Sequence, residues 1–221
     1  ANGNLGTAVV EKFLSAGWQV IATVAQAGEI ESMTKHPKLD ARAVNLTNET
    51  ETAEFVQSVI EKYKSVNAAL LLVGGFVAGG IETTSGSDLM KQYSLNFETS
   101  YFTARPLFNH MMANNDGRLV FVGARPALKP VDGKSMVAYS LSKSLVFKLA
   151  ELLNAAAKGK NVTATVIVPS TIDTPMNRKN MPDANFENWV KPQQIAEVME
   201  MICADIGLPL RETVVKIYGN S

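Results

Sequence analysis

Apolar residues along the chain alternate between helical spacing and short continuous runs. An amphipathic run opens behind Gly3 and Gly6 and continues to Ala16, and Trp18–Val24 follows as a strand. A short helix is expected over Glu29–His36, between Gly28 and Pro37, and then a strand over Ala41–Asn45. Thr47 or Asn48 can cap a helix reaching about Lys64, in which Phe55, Val56, Val59, Ile60 and Tyr63 keep helical spacing. Ala68–Val73 is uninterruptedly apolar, as a strand covered on both faces must be. A long helix spans roughly Ser87–Asn114, with Pro106 as an expected kink, and Asn115-Asp116-Gly117 makes the turn into a strand at Leu119–Val122. Ala124–Ser135, with Pro126, Pro130 and Gly133, reads as a loop. A second long helix covers about 136–158, and Val162–Val168 is another buried strand, ending at Pro169. A loop with Thr171, Asp173, Thr174 and Pro175 leads into a mixed stretch to Trp189. Lys191–Ala204 reads as helix and Thr213–Tyr218 as the last strand.

This alternation predicts an α/β fold: a doubly wound, mainly parallel sheet with helices on both faces, a three-layer sandwich. No repeat, linker or composition shift divides the chain, so residues 1–221 are expected to form a single domain. The run from Gly3 to Val24 is the second half of a β-α-β unit. Its first strand, central in such a sheet, is expected to precede Ala1.

Composition narrows the function. Of 221 residues, 46% are hydrophobic and 19% charged, and the formal net charge is zero. No dense basic tract suits nucleic acid or an anionic membrane. Cys203 is the only cysteine, which excludes an internal disulfide and a cysteine-based zinc cluster. There is no apolar run of membrane-spanning length and no visible signal peptide, so a cytoplasmic protein is expected. No His, Asp and Glu cluster has metal spacing; His36 and His110 read as solvated helix-end residues.

The chemistry gathers at the carboxyl ends of the strands, where such folds bind ligands. Gly3 and Gly6, with Asn4 and Leu5 between them, open a helix whose first N–H groups can meet a phosphate. Gly74-Gly75 ends a strand and leaves room for a ligand. Tyr139 and Lys143 lie one helical turn apart on one face. A fixed ammonium beside a phenol favours the phenolate, so the expectation is a lowered tyrosine pKa and a usable acid or base near neutral pH.

The order of glycine turn, long helix with Asn96, Tyr139-x-x-x-Lys143, then Pro169 and a threonine-bearing loop resembles the short-chain dehydrogenase/reductase family over essentially the whole chain. Within it, Asp173-Thr174-Pro175-Met176-Asn177-Arg178-Lys179 with Met181-Pro182, Trp189, Gly74-Gly75-Phe76 with Gly79-Gly80, and Asp88-Leu89-Met90 are similar to the dihydropteridine reductase branch. The resemblance implies a Rossmann-type fold, an NAD(P)H cofactor, a small-molecule substrate, and a homodimer or homotetramer built on helices 87–114 and 136–158. Tyr139 would be the proton donor, Lys143 would hold the nicotinamide ribose, and Asn96 would support a water near the lysine. Gly3 and Gly6 would cradle the pyrophosphate, Asn45 and Leu46 would contact adenine, and Ile172 and Thr174 would meet the nicotinamide and its carboxamide. Phe76, Trp189 and Met181 could wall a flat substrate.

Three departures qualify the match. Gly123-Ala124 stands where the family carries a catalytic serine, a gap shared with the dihydropteridine reductase branch. Val24 and Ala25 offer neither the acid that bonds an NAD ribose nor an arginine for NADP, which leaves the choice of nucleotide open. Asn4 stands where other members have glycine. The implied reaction is hydride transfer to a quinonoid dihydropterin or similar flat ring. The alternatives are a reductase of an unrelated carbonyl substrate, or a nucleotide-binding sensor without turnover.

Overall fold

The computed structural model describes residues 1–220. In chain order the elements are α1 (Asn4–Ser15), β1 (Val20–Val24), β2 (Leu39–Ala43), α2 (Glu49–Tyr63), β3 (Ala68–Leu71), α3 (Gly86–Tyr93), α4 (Thr99–Asn114), β4 (Gly117–Val122), α5 (Arg125–Leu128), α6 (Pro130–Gly133), α7 (Val137–Ala156), β5 (Val162–Pro169), α8 (Pro175–Asn180), α9 (Pro192–Cys203) and β6 (Val214–Ile217). The strands form a β1-β2 pair and a four-stranded sheet in the order β3-β4-β5-β6. The β1-β2, β3-β4 and β4-β5 ladders are all parallel, as the alternation of strands and helices requires. No helix among the described residues is long and apolar enough to cross a membrane.

The boundaries have local causes. Asn48 accepts a hydrogen bond from the Glu51 N–H (3.1 Å) and so caps α2; Glu49 and Glu51 near its start and Lys62 near its end complement the helix dipole. Asn115, at φ 52°, takes the left-handed conformation that ends α4.

Several stretches differ from expectation. Residues 124–135 form two one-turn helices, because Pro126 and Pro130 sit in first turns, where a missing N–H breaks no bond. The stretch after Thr174 starts with α8, capped by the Thr174 hydroxyl on the Asn177 N–H (3.2 Å). Residues 29–36 are not a helix of that span. A tighter 3₁₀ segment covers Ala27–Ser32, started by a reciprocal cap between Gln26 and Glu29.

The chain divides into two compact units. The first comprises residues 1–45, 169–210 and the C-terminal residues from Lys216. In it β1 pairs with β2 from Val20–Leu39 to Val24–Ala43, and Val10, Leu14 and Ala22 form a small core with Val20, Met33 and Leu39 against it. α1 packs along α9, with Lys12 3.8 Å from Glu200 at one contact.

The second unit comprises residues 46–168 and 211–215. All eight residues of β5 are buried, and in β4 only Val122 is partly exposed. Burying each large aliphatic side chain here stabilises the fold by about 1.5–3 kcal/mol. α7 turns Ala138, Ser142, Val146, Phe147, Leu149 and Ala150 inward. Lys143 lies on the same buried face, and apolar packing alone does not explain it.

Gly117 offers a packing test. A Cβ there would lie 2.3–2.5 Å from the side chain of Met111, which is fully buried and has nowhere to retreat. Gly117→Ala is expected to destabilise by about 1–3 kcal/mol, lowering Tm by about 3–10 °C. An unchanged Tm would contradict this packing.

Candidate active site

Tyr139 lies in the first turn of α7 and Lys143 one turn further on, both in the second unit. Lys143 is 5% exposed. Its Nζ donates to the carbonyl of Val122, the last residue of β4, at 2.8 Å. An ammonium has three donors, so two remain for other acceptors. A Cβ on Gly74 would stand 3.0 Å from Lys143 Nζ and 2.6 Å from Asn96 Oδ1. The absence of a side chain at Gly74 therefore lets the lysine and the asparagine meet beside the backbone that follows β3.

Asn96 is fully buried. Its Oδ1 accepts the Gly75 N–H (2.9 Å), and its Nδ2 lies within hydrogen-bond distance of Gly75 O (3.1 Å), Gln92 Oε1 (2.9 Å) and Ser142 Oγ (3.1 Å). The Ser142 hydroxyl in turn donates to the Tyr139 carbonyl at 2.8 Å. Asn96 thus clamps the backbone at Gly75 from both sides and ties it to the helix that carries the tyrosine. It sits in a single π turn, Ser94–Glu98, between α3 and α4. Such turns insert one residue into a helix and recur at functional sites. The continuous helix expected over 87–114 is interrupted at this point.

The loop after Gly75 is held at its far end too. Gly79 donates to Ser135 O (2.8 Å) and accepts from the Val137 N–H (2.9 Å). Between the two anchors Phe76 is 63% exposed, and its ring meets the Tyr139 ring edge-on at 5.2 Å between centroids.

Burial governs the electrostatics. Tyr139 is half-buried, and the loss of water around its phenol pushes its pKa up to about 12 from 10.0. Burial pulls Lys143 down to about 8 from 10.5. The expected lowering of the tyrosine pKa is therefore reversed: desolvation disfavours the charged form of each group.

No hydroxyl follows β4. A Cβ on Gly123 would fall 2.6 Å from Phe147 Cζ and 2.7 Å from Val166 Cγ1, so the position has no room for a serine. The neighbouring Ala124 is buried.

Most of the other sequence candidates belong to the first unit. Gly3 is the N-cap of α1, in extended conformation with no side-chain cap and open space above it. Asn4, Leu5 and Gly6 precede the first intrahelical bond, from the Thr7 N–H to Gly3 O (2.8 Å), so their N–H groups point out of the helix end. Ile172 and Thr174 are in the same first unit. Their segment is braced by Asn177 Nδ2 donating to Ile172 O (2.8 Å) and by an Arg178–Asp173 ion pair (2.6 Å). Asn45 is exposed and closes the first stretch of that unit, and Leu46 is half-buried and opens the second unit. Trp189 packs on Phe186 (4.8 Å between centroids) and is nearly buried, whereas Met181 is exposed. Val24 is 3% exposed: its side chain belongs to the core and cannot be the ribose contact, and Ala25 is the first exposed position after β1. His36 accepts the Lys38 N–H through Nδ1 (3.1 Å), and His110 accepts the Val66 N–H through Nε2 (3.3 Å), so both have structural partners. Among the described residues no group could hold a metal ion.

Sequence reasoning missed Gln92 and Ser142, the partners of Asn96. Gln92 lies one turn before Asn96, a spacing that marks it as a neighbour, but nothing local marks Ser142.

A short chain dehydrogenase family model matches residues 1–185. The dihydropteridine reductase of Dictyostelium discoideum is 30% identical over 208 residues, covering 89% of this chain and 81% of that protein. The 3-oxoacyl-[acyl-carrier-protein] reductase FabG of Thermotoga maritima is 21% identical over 234 residues, covering 100% and 94%. Among solved structures, the 3-ketoacyl-(acyl-carrier-protein) reductase of Brucella melitensis complexed with NADH superposes with a TM-score of 0.86 at 16% identity, covering 100% of this chain and 95% of that one. The structure of ElxO with NADP bound gives 0.90 at 16% identity, covering 98% and 93%. These likenesses establish a Rossmann-like α/β fold with a mainly parallel sheet.

Lys143 carries a stability prediction. Its folded pKa, about 8, lies below its unfolded value of 10.5. Burying the ammonium therefore opposes folding fully below pH 8. Between about pH 8 and 10.5 the unfolded state holds more protons, so stability rises with pH and the penalty fades. Lys143→Met is expected to raise Tm by about 5 °C at pH 7, equivalent to roughly 2–3 kcal/mol, with the gain gone by pH 10.5. A lower Tm at pH 7, or a gain that does not change with pH, would contradict the burial account.

Proposed function

The chain belongs to the short-chain dehydrogenase family, whose members are NAD(P)-dependent oxidoreductases, and from that premise we propose that it reduces a quinonoid dihydropterin or a similar flat conjugated ring. The observation that carries this reading is a Tyr139–Lys143 pair with no hydroxyl on the residues that follow β4, because Gly123-Ala124 stands where the family carries its serine. A simple carbonyl substrate needs that second donor for its developing oxyanion. A conjugated ring spreads the charge over its own heteroatoms and needs one proton. The 30% identity to the Dictyostelium dihydropteridine reductase supports the same choice.

The residues present suit a nicotinamide nucleotide. Open space above Gly3 and the outward N–H groups of Asn4, Leu5 and Gly6 suit a pyrophosphate. The two further donors of Lys143 suit ribose hydroxyls. Asn45 and Leu46 are assigned to adenine, and Ile172 and Thr174 to the nicotinamide and its carboxamide. When bound, the reduced nicotinamide supplies the hydride.

The protein's part is to place groups and move a proton. The clamp of Asn96 on Gly75 and the bonds at Gly79 fix the loop that carries Phe76. The exposed Phe76 ring offers one wall for a flat substrate. Tyr139, protonated at all physiological pH values, donates its phenolic proton to the ring nitrogen that becomes basic. The charged Lys143 stabilises the phenolate left behind, and solvent restores the proton. We assign Asn96 a positioning role, through Gly75 and through Ser142 to the start of α7.

The exposed leucines of α7, Leu141, Leu145 and Leu152, support a homodimer or homotetramer.

Tyr139→Phe is expected to lower turnover about a hundred- to ten-thousandfold while the Kd for reduced cofactor changes less than about threefold; unchanged turnover would sink the assignment. The proton-transfer step needs Lys143 charged, so kcat/KM for the acceptor is expected to be flat below about pH 8 and to fall above it. In Lys143→Arg, which cannot lose its charge in this range, that fall should disappear even if the absolute rate is lower. A profile falling at the same pH in both proteins would remove the lysine from this role.

A further inference from the structure

Gln92 is buried, at 3% exposure, on a helix, α3, whose other residues are exposed or half-buried. An aliphatic side chain would fill that inward position without the cost of desolvating an amide. The glutamine is accounted for by its hydrogen bond. Its Oε1 accepts from Asn96 Nδ2, one turn further along the chain, at 2.9 Å, and the bond is itself buried. Both residues belong to the second unit.

An asparagine amide has two ends of nearly equal shape and opposite hydrogen-bonding character. The groups around it decide which end faces where. On one side of Asn96 the Gly75 N–H donates to Oδ1 (2.9 Å). A Cβ on Gly74 would lie 2.6 Å from Oδ1 and 3.0 Å from Lys143 Nζ, so this oxygen and the ammonium border one small volume. On the other side Nδ2 meets three oxygens: Gly75 O (3.1 Å), Ser142 Oγ (3.1 Å) and Gln92 Oε1. The Ser142 hydroxyl spends its hydrogen on the Tyr139 carbonyl (2.8 Å), so towards Asn96 it can only accept. Turning the amide over would set its NH2 against the Gly75 N–H and the ammonium, and its oxygen against three acceptors. Of those three, Gln92 Oε1 makes the shortest contact. It also comes from outside the two segments, the Gly75 loop and the start of α7, that the asparagine ties together.

We propose that Gln92 is a positioning residue for the proton-transfer site: its Oε1 holds the Asn96 amide in the orientation that clamps Gly75 and turns Oδ1 to the volume beside Lys143. This proposal rests on the reading of Tyr139 and Lys143 as the catalytic pair and deepens it. It does not depend on which acceptor is reduced.

The test pairs a local structural readout with turnover, on the full chain. Gln92→Met is close to isosteric and removes the acceptor, whereas Gln92→Glu keeps an accepting oxygen whether or not it is ionised. In unliganded wild type the Gly75 N–H is expected to exchange with solvent at least about a hundredfold more slowly than in an unfolded chain. Gln92→Met should speed that exchange about tenfold or more while the buried amides of β5 change less than about threefold. Turnover is read with quinonoid dihydropterin and with a panel of ketones. Gln92→Met is expected to lower kcat about five- to thirtyfold in the wild-type background but less than about twofold in Asn96→Ala, because it acts through the asparagine. Gln92→Glu should keep both the exchange rate and kcat within about threefold of wild type. Equal loss of kcat in the two backgrounds would overturn the proposal and leave the catalytic pair standing. So would a Gly75 exchange rate or kcat that Gln92→Met leaves unchanged, or a Gln92→Glu variant as impaired as Gln92→Met. An unprotected Gly75 N–H in wild type would overturn it without any variant. Absence of turnover by folded wild type with every acceptor would remove the catalytic pair and this proposal with it.

Discussion

A lysine ammonium held out of water is the constraint on which the second unit's site depends. Lys143 lies on the buried face of α7, whose other buried residues are apolar except Ser142. Its charge survives there only because β4 ends with the Val122 carbonyl turned to its Nζ and because Gly74 leaves the space beside it empty. Such a group opposes folding at neutral pH and would be replaced by an aliphatic residue if stability alone mattered. Its persistence at the carboxyl end of a strand, one turn from a tyrosine, is a functional signature of the kind that perturbed ionisable groups leave.

The same small volume explains the irregularity in the long helix. A regular helix through residues 87–114 presents its polar side chains at fixed angles. Bringing the Asn96 amide onto both the N–H and the C=O of Gly75 takes one extra residue in the turn, and the π turn at 94–98 provides it. The cost is a lost increment of helical regularity, offset by part-buried hydrogen bonds to Gly75 and buried ones to Gln92 and Ser142. The loop carrying Phe76 is thereby held by asparagine at one end and by a two-bond bridge to residues 135–137 at the other. Tyr139, two residues beyond that bridge, shares its fixed frame.

How much of this could be read in advance follows from where each signal resides. The α/β alternation, the Asn48 cap and the Tyr-x-x-x-Lys helix are local features, and they stand at or within a few residues of where the pattern puts them. Thr174-Pro175 is a local helix-start signal and Gln26 with Glu29 a local capping box, and both are realised. The π turn was not readable, because its cause is a contact between Asn96 and Gly75, 21 residues away. Nor was the direction of the tyrosine shift. Spacing reveals that a cation is near, whereas desolvation depends on everything packed around the pair.

The account's central claim is that a Tyr–Lys pair without a hydroxyl partner serves a conjugated ring and not an isolated carbonyl. The most direct measurement compares wild-type oxidation of reduced nicotinamide with freshly generated quinonoid dihydropterin and with a panel of ketone and β-ketoacyl acceptors. The account predicts turnover with the pterin at a kcat/KM at least about a hundredfold above any carbonyl in the panel, the scale of one oxyanion donor. A carbonyl acceptor matching or exceeding the pterin would contradict it.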